Sequence, residues 1–132
     1  FNINSTIGGK IMTLVNKTAE NLYDGIANMM AGAKEDYISM STGYGKKELT
    51  GYSKEQADNW DNKTKVSMGK KYIKIVQENS VFAFIVKENF KHFLKGDILK
   101  AAGYNAPALN RARGNVLTGN YNIQWTGPLY LK

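Results

Sequence analysis

The sequence predicts an α+β fold in which an N-terminal amphipathic helix and a short second helix pack on a small antiparallel sheet or partly closed barrel. Apolar residues recur at helical spacing near the N-terminus, strand-like alternation begins after Thr64, and tight turn sequences separate the later strands. The chain has 132 residues, 42% of them hydrophobic, which is enough for one buried core. We therefore expect residues 12–132 to form a single domain.

Residues 1–11 are predicted to be a leader outside this domain. The segment Phe1–Ile11 is polar, contains glycine, lacks a clear period and precedes Met12. Its last residues, with Met12, can be encoded by nucleotides that contain a bacterial ribosome-binding site before an ATG codon. We interpret Met12 as the natural start and the leader as non-native sequence, with an ordinary frayed N-terminus as the alternative.

The first helix is predicted to run from Thr13 to about Ala31 and to end near Gly32. Its apolar face would comprise Leu14, Val15, Ala19, Leu22, Ile26, Met29, Met30 and Ala33. The carboxylates of this region are expected to be solvated; they are Glu20, Asp24, Glu35 and Asp36. After the helix, Tyr37, Ile38 and Met40 favour a short strand.

The second helix is predicted from Lys54 to about Asp61. Ser53 and Gln56 have the spacing of a capping box, which marks a helix start. We expect Trp60 to anchor this helix against the sheet.

The remaining pattern predicts short strands. Lys71–Val76 alternates, a turn sequence follows, and Val81–Lys87 is a nearly continuous apolar strand, so the two indicate a hairpin. Pro107 suits the first position of a short helix into Leu109–Arg111. Tyr121–Trp125 is the last long strand predicted.

Composition excludes several classes of function. The absence of cysteine excludes disulfides, thiolate zinc sites and cysteine nucleophiles. The single histidine, His92, argues against a histidine-rich metal site or a Ser-His-Asp triad. No apolar run approaches the roughly 18 residues of a membrane span. We therefore expect no cofactor, no metal and no membrane association.

Charge is distributed unevenly along the chain. Residues 1–62 carry six lysines against eight acidic residues, whereas residues 63–132 carry ten lysines and two arginines against three. A strongly basic half indicates a polyanionic partner: nucleic acid, a nucleotide or an acidic protein surface. The alternative is that surplus lysine only keeps a small protein soluble.

The first candidate binding site is the segment Asn105–Asn115, here called the arginine loop. It holds the only arginines of the chain, Arg111 and Arg113, whose guanidinium groups suit phosphate. Its asparagines, Asn105, Asn110 and Asn115, could add hydrogen bonds to base edges or a ribose. The alternative is that Arg111 pairs with a carboxylate such as Asp97 and the asparagines cap turns.

The second candidate site is one face of the first hairpin strand. Lys70, Tyr72 and Lys74 point outward if Ile73 and Ile75 point into the core, although the register could be the reverse. Lysines around an aromatic ring suit single-stranded nucleic acid. The residues expected to extend this site are Lys91, Lys95 and Lys100, with Tyr104 and Trp125 stacking on bases.

Two further patterns are given less weight. Phe82 and Phe84 resemble the aromatic strand positions of RNA-recognition sheets, but core packing is the preferred interpretation. No catalytic constellation is visible, so a binding role is preferred over a two-carboxylate hydrolase or a metal-dependent nuclease.

Several short sequences resemble a group of small uncharacterised tailed-bacteriophage proteins. They are GDILKAA at 96–102, APA at 106–108, ARGN at 112–115 and WTGP at 125–128. The resemblance implies a viral protein in the host bacterial cytoplasm, with a counter-defence or DNA-associated role. It assigns no functional residue.

These observations together predict a non-enzymatic bacteriophage binding protein that engages a phosphate-bearing ligand, above all nucleic acid, through its basic C-terminal half. One alternative is a counter-defence protein that sequesters a signalling nucleotide in a closed pocket. Another is a protein inhibitor or virion component. A host-protein partner and homo-oligomerisation are left open.

Overall fold

The structure is a computed structural model that describes residues 3–7 and 10–129, with side chains from residue 13 onward. The elements are β1 (Ile3–Ile7), β2 (Lys10–Val15), α1 (Leu22–Ser41), α2 (Gly51–Asp58), a 3-10 turn (Asp61–Lys63), β3 (Thr64–Met68), β4 (Tyr72–Gln77), β5 (Ser80–Val86), β6 (Ile98–Leu99), β7 (Ala101–Gly103), β8 (Ala106–Pro107) and β9 (Tyr121–Ile123). The strand pairings within these elements are antiparallel, in the orders β1-β2-β9, β3-β4-β5-β6 and β7-β8. The predicted α+β class is confirmed, and the described strands do not close into a barrel.

Helix α1 lies later in the chain than predicted. It begins at Leu22 and ends at Ser41, and its N-cap Asn21 accepts a hydrogen bond from the backbone N–H of Asp24 (2.9 Å). Residues 10–15 form β2 instead, because their backbone pairs with β1 on one side and, at Thr13–Val15, with β9 on the other. The strand expected around Tyr37 is wrong, since Tyr37 lies on the buried face of α1.

Part of the segment interpreted as a leader forms a strand of the three-stranded sheet. Residues 3–7 form β1 and pair with β2, with Ile3 opposite Leu14 and Ile7 opposite Lys10. The interpretation of Met12 as the natural start stays a prediction.

The second helix begins earlier than the capping box indicated. Thr50 is its N-cap, so Ser53 lies inside the first turn and makes no capping-box start. Trp60, just after α2, is buried in the same core as the sheet residues, as predicted. Its ring lies 5.9 Å from that of Tyr37 on α1.

The β4–β5 hairpin is confirmed, whereas the helix at Pro107 is wrong. A two-residue turn at Glu78 and Asn79 joins β4 to β5. Pro107 instead lies in β8, whose pairing with β7 leaves Tyr104 and Asn105 as the tip of a second, smaller hairpin.

The four-stranded sheet separates two hydrophobic cores. The first core joins α1, α2 and β9 to Ile73, Ile75, Ala83, Ile85 and Ile98 on one side of the sheet. The second core, on the other side, consists of Phe84, Val86, Phe93 and Leu99, with Tyr72, Val81, Phe90, Ala101 and Ala112 packed against it. From Ala83 to Val86, alternate residues of β5 therefore serve different cores, as strand geometry requires. The register shift next to Phe82 places that ring in the first core as well. The buried aromatics Phe82 and Phe84 confirm the core-packing interpretation.

Candidate nucleic-acid interface

The second core gathers the chain segments that carry the basic residues. The ring of Tyr72 on β4 lies 6.0 Å from that of Phe84 and 5.8 Å from that of Phe90, centroid to centroid. Ala101 of β7 and Ala112 of the arginine loop pack against the same cluster. The outer residues of β4, the segment 87–97, the β7–β8 hairpin and the arginine loop therefore lie on one side of the sheet, here called the basic side.

Lys74 lies at the centre of the strongest cluster on the basic side. Its Nζ is 3.6 Å from the centroid of the Tyr104 ring and donates a hydrogen bond to Asn105 Oδ1 (3.2 Å). Ile73 and Ile75 are fully buried, which confirms the predicted outward register of Lys74. The structure thus joins residues from both candidate sites of the sequence. We call Lys74, Tyr104 and Asn105 the Lys74 platform.

Three more lysines lie at the end of the sheet next to Tyr72. Lys70 and Lys71 form the turn before β4, and the Nζ of Lys87 donates to the carbonyl of Gly69 in that turn (2.9 Å). The Nζ of Lys71 lies 5.6 Å from the centroid of the Phe90 ring. Lys71 and Lys87 were not predicted as site residues from the sequence. Their positions, directly before β4 and directly after β5, are the sequence feature that could have indicated them.

The positive charge of this side is not neutralised by neighbouring acids. Among the described residues, the following have no carboxylate within salt-bridge distance: Lys65, Lys70, Lys71, Lys74, Lys91, Lys95 and Arg111. Asp97 is buried, and it accepts from the Leu94 N–H (2.9 Å) and from Asn115 Nδ2 (3.0 Å). The Asp97 carboxylate therefore stabilises the local turn through these two hydrogen bonds. The proposed Arg111–Asp97 pair does not form.

Arg113 has a structural role within the arginine loop. Its Nε donates to the carbonyl of Leu129 (3.2 Å), and one terminal nitrogen donates to Asn110 Oδ1 and to the carbonyl of Arg111 (both 2.8 Å). Burial, and then the nearby charge of Arg111, lower the pKa of the Arg113 guanidinium. Arg111, by contrast, is exposed, and its side chain makes no hydrogen bond within the described residues. Only Arg111 of the two presents its whole guanidinium.

Several other predicted residues also make bonds within the fold. Asn115 Nδ2 donates to the Lys95 carbonyl (2.9 Å), and its Oδ1 accepts from the Leu117 N–H (2.8 Å), so this asparagine caps a turn. Lys100 Nζ donates to the Pro128 carbonyl (3.0 Å). Trp125 packs against the first core, on the other side of the sheet from the lysines.

Lys91 and Lys95 are exposed on the segment 87–97. That segment reaches the arginine loop, because His92 Nε2 lies 3.2 Å from the carbonyl oxygen of Asn110. Lys91, one residue before His92, is thereby placed near Arg111.

Neither a metal centre nor a membrane-spanning helix is found in the described part of the chain. No group of three or more histidine and acidic side chains there could hold a metal ion. None of its helices is both long and apolar enough to cross a bilayer.

Comparison with known proteins gives a family. Residues 3–131 match the family of unknown function DUF7717. The chain belongs to this family. No curated protein and no solved structure matches the chain.

Proposed function

We propose that this protein binds single-stranded nucleic acid on the basic side of its sheet. The carrying observation is the Lys74 platform, where an ammonium group and an exposed aromatic ring lie 3.6 Å apart among unneutralised lysines. Single-strand binding combines amines that contact phosphates with aromatic rings on which bases stack. Tyr104 is 60% exposed, so one face of its ring is open to a base while Lys74 covers the other.

The arrangement favours a single strand over a duplex. Reading a duplex in its major groove requires a helix or a two-stranded ribbon that protrudes from the protein. Both described α-helices contribute buried residues to the first core, away from the lysines of the basic side. The two-stranded β7–β8 ribbon does lie on that side, but its strands have only three and two residues, and its tip contacts Lys74 on β4. The basic side instead offers a surface of strand and loop that carries Lys70, Lys71, the Lys74 platform and Arg111. The resemblance to tailed-bacteriophage proteins supports a viral, DNA-associated role by association and stays a prediction.

The test is a fluorescence-anisotropy titration of labelled oligo-dT, oligo-U and a duplex, each at two salt concentrations. Tyr104→Ala should weaken single-strand binding about tenfold, because stacking on one ring is worth about 1–3 kcal/mol. Lys74→Ala and Arg111→Ala should each reduce the slope of log affinity against log salt by about 0.7, the contribution of one phosphate contact. Arg113 is left intact, because it holds the loop together.

Matched controls come from the helical half. Tyr23→Ala removes a tyrosine of similar exposure, 62%, and Lys46→Ala removes an exposed lysine. Both should bind as the wild type does. Equal binding by wild type and Tyr104→Ala would contradict the proposal, as would a preference for the duplex.

A further inference from the structure

An aromatic cleft lies apart from the basic side. It has a volume of about 470 Å³ and is formed by α2, the β4–β5 turn and residues 125–126. Its aromatic lining residues are Tyr37, Tyr52, Trp60, Phe82 and Trp125, which include both tryptophans of the chain. Clefts of about 300–1,000 Å³ with mostly apolar walls are the usual size and character of small-molecule sites.

The aromatic walls are held by the first core. The Tyr37 ring lies 5.9 Å from that of Trp60 and 5.2 Å from that of Trp125, centroid to centroid. The backbone N–H of Trp125 donates to the buried carboxylate of Asp36 (2.9 Å). Tyr37 and Trp60 are themselves buried. The cleft is therefore a preformed feature of the fold.

The cleft favours an uncharged ligand. Among the described residues, no lysine or arginine lines the cleft, and Glu78, the one acidic residue there, has Lys63 Nζ at 4.0 Å. A bare cation would meet a carboxylate whose charge is already balanced, and the one ammonium beside the cleft, that of Lys63, is already bonded to Gln56 and paired with Glu78.

The polar groups of the cleft can both donate and accept hydrogen bonds. Gln56, Gln77 and Asn79 contribute amides to the lining. The Gln56 amide is bonded to Tyr52 and Lys63, and the Gln77 amide is bonded to Thr64 and the Trp60 carbonyl. The exposed amide of Asn79 is therefore the one open to a ligand. The indole N–H of Trp60 is buried and has no hydrogen-bond partner among the described residues. A heteroaromatic ring with both donors and acceptors on its edge matches the Asn79 amide, and the faces of that ring match the aromatic walls.

We propose that this cleft binds the uncharged heteroaromatic ring of a nucleobase, as a free base or a nucleoside. The proposal goes beyond single-strand binding and does not depend on it, because the cleft lies across the sheet from the Lys74 platform. The carrying observation is the combination of aromatic walls, the open Asn79 amide and balanced charge. Ribose and phosphate contribute nothing to this recognition.

Tryptophan fluorescence measures occupancy directly, because both tryptophans line the cleft. The full chain is titrated with adenosine, guanosine, cytidine and uridine, and separately with ribose and choline. At least one nucleoside should quench saturably, with an affinity that added salt leaves unchanged. Ribose and choline should not quench.

Tyr52→Ala tests the wall of the cleft. Tyr52 is 72% exposed, so its removal leaves the core intact, and nucleoside affinity should fall about tenfold. Tyr23→Ala, of similar exposure on α1, should bind nucleosides as the wild type does.

Absence of saturable quenching by all four nucleosides overturns the proposal. Tighter binding of choline does so too, because it would show a cation site. Unchanged affinity in Tyr52→Ala places the nucleoside elsewhere and also overturns it. Oligonucleotide binding without nucleoside binding would remove the cleft proposal alone, and the reverse result would remove only the proposed single-strand binding.

Discussion

Asp36 shows how one buried group joins distant parts of the chain. Asp36 is only 4% exposed. Its carboxylate accepts hydrogen bonds from Thr13 Oγ1 on β2 (3.2 Å) and from the Trp125 N–H (2.9 Å). The prediction that Asp36 is solvated was wrong. Helical spacing placed it among polar neighbours, and the two donors that compensate its burial come from segments far away in sequence.

Burial should give Asp36 a distinct pH signature. Desolvation raises the pKa of its carboxyl above 3.8, while the Trp125 and Thr13 hydrogen bonds oppose that shift. The folded state therefore holds this proton more tightly than the unfolded chain. Its contribution to stability is complete below pH 3.8 and is lost as the pH rises through the folded-state value.

The measurement is urea unfolding of the wild type and Asp36→Asn at several pH values. The free energy of unfolding of the wild type, minus that of Asp36→Asn, should decrease as the pH rises above 3.8. A difference that grows with pH would show that the carboxylate form is the one stabilised by folding.

At the scale of elements, α1 depends on two glycines for its packing. A Cβ at Gly25 would lie 2.6 Å from the backbone oxygen of Val116, and one at Gly32 would lie 2.5 Å from a methyl of Val15. From the sequence alone, a glycine inside a helix predicts only a lower helix propensity. The close approach of another backbone is a tertiary property that periodicity does not encode.

Gly25→Ala should therefore destabilise the protein. Alanine favours an isolated helix by about 1 kcal/mol, but overpacking against a fixed backbone oxygen costs about 1–3 kcal/mol. The net change should be a loss, measured by chemical denaturation. The control is Ala27→Gly at an exposed position of α1, which should cost about 1 kcal/mol from propensity alone. A more stable Gly25→Ala protein would refute the close contact.

The elements differed in how well the sequence predicted them. The β4–β5 hairpin was predictable because its alternation, turn residues and buried second strand all agree. The start of α1 was not, because Thr13–Val15 fits a helical face and a strand equally well, and partner strands decide. Pro107 similarly accepts an edge strand as readily as a helix start.

At the scale of the whole molecule, the charge difference along the sequence becomes a difference between the two sides of a sheet. The composition predicted which half is basic. It could not predict that Lys74 contacts Tyr104 and Asn105. Lys74 and Asn105 are 31 residues apart in the sequence, and the β7–β8 turn brings them together. Nor could it show that the side chains of Arg113 and Lys100 donate hydrogen bonds to backbone carbonyls.

The location of charge, rather than its total, should control nucleic-acid affinity. Replacing Lys70, Lys71 and Lys91 by glutamine should lower the salt slope for single-strand binding by about 2, if each contacts one phosphate. Replacing Lys17, Lys46 and Lys47 by glutamine removes the same charge from exposed positions in the helical half and should leave the slope unchanged. Equal effects in an anisotropy titration would indicate that only net charge matters.

Strand β3 lies at the edge of its sheet, and four of its five residues are exposed. The unpaired backbone groups of such an edge can pair with a strand of another molecule, and a charged residue such as Lys65 opposes that pairing. A bound polyanion would mask this repulsion. On the proposed single-strand binding, we therefore expect molecules crowded along one nucleic-acid strand to bring these edges together as neighbours on a shared template.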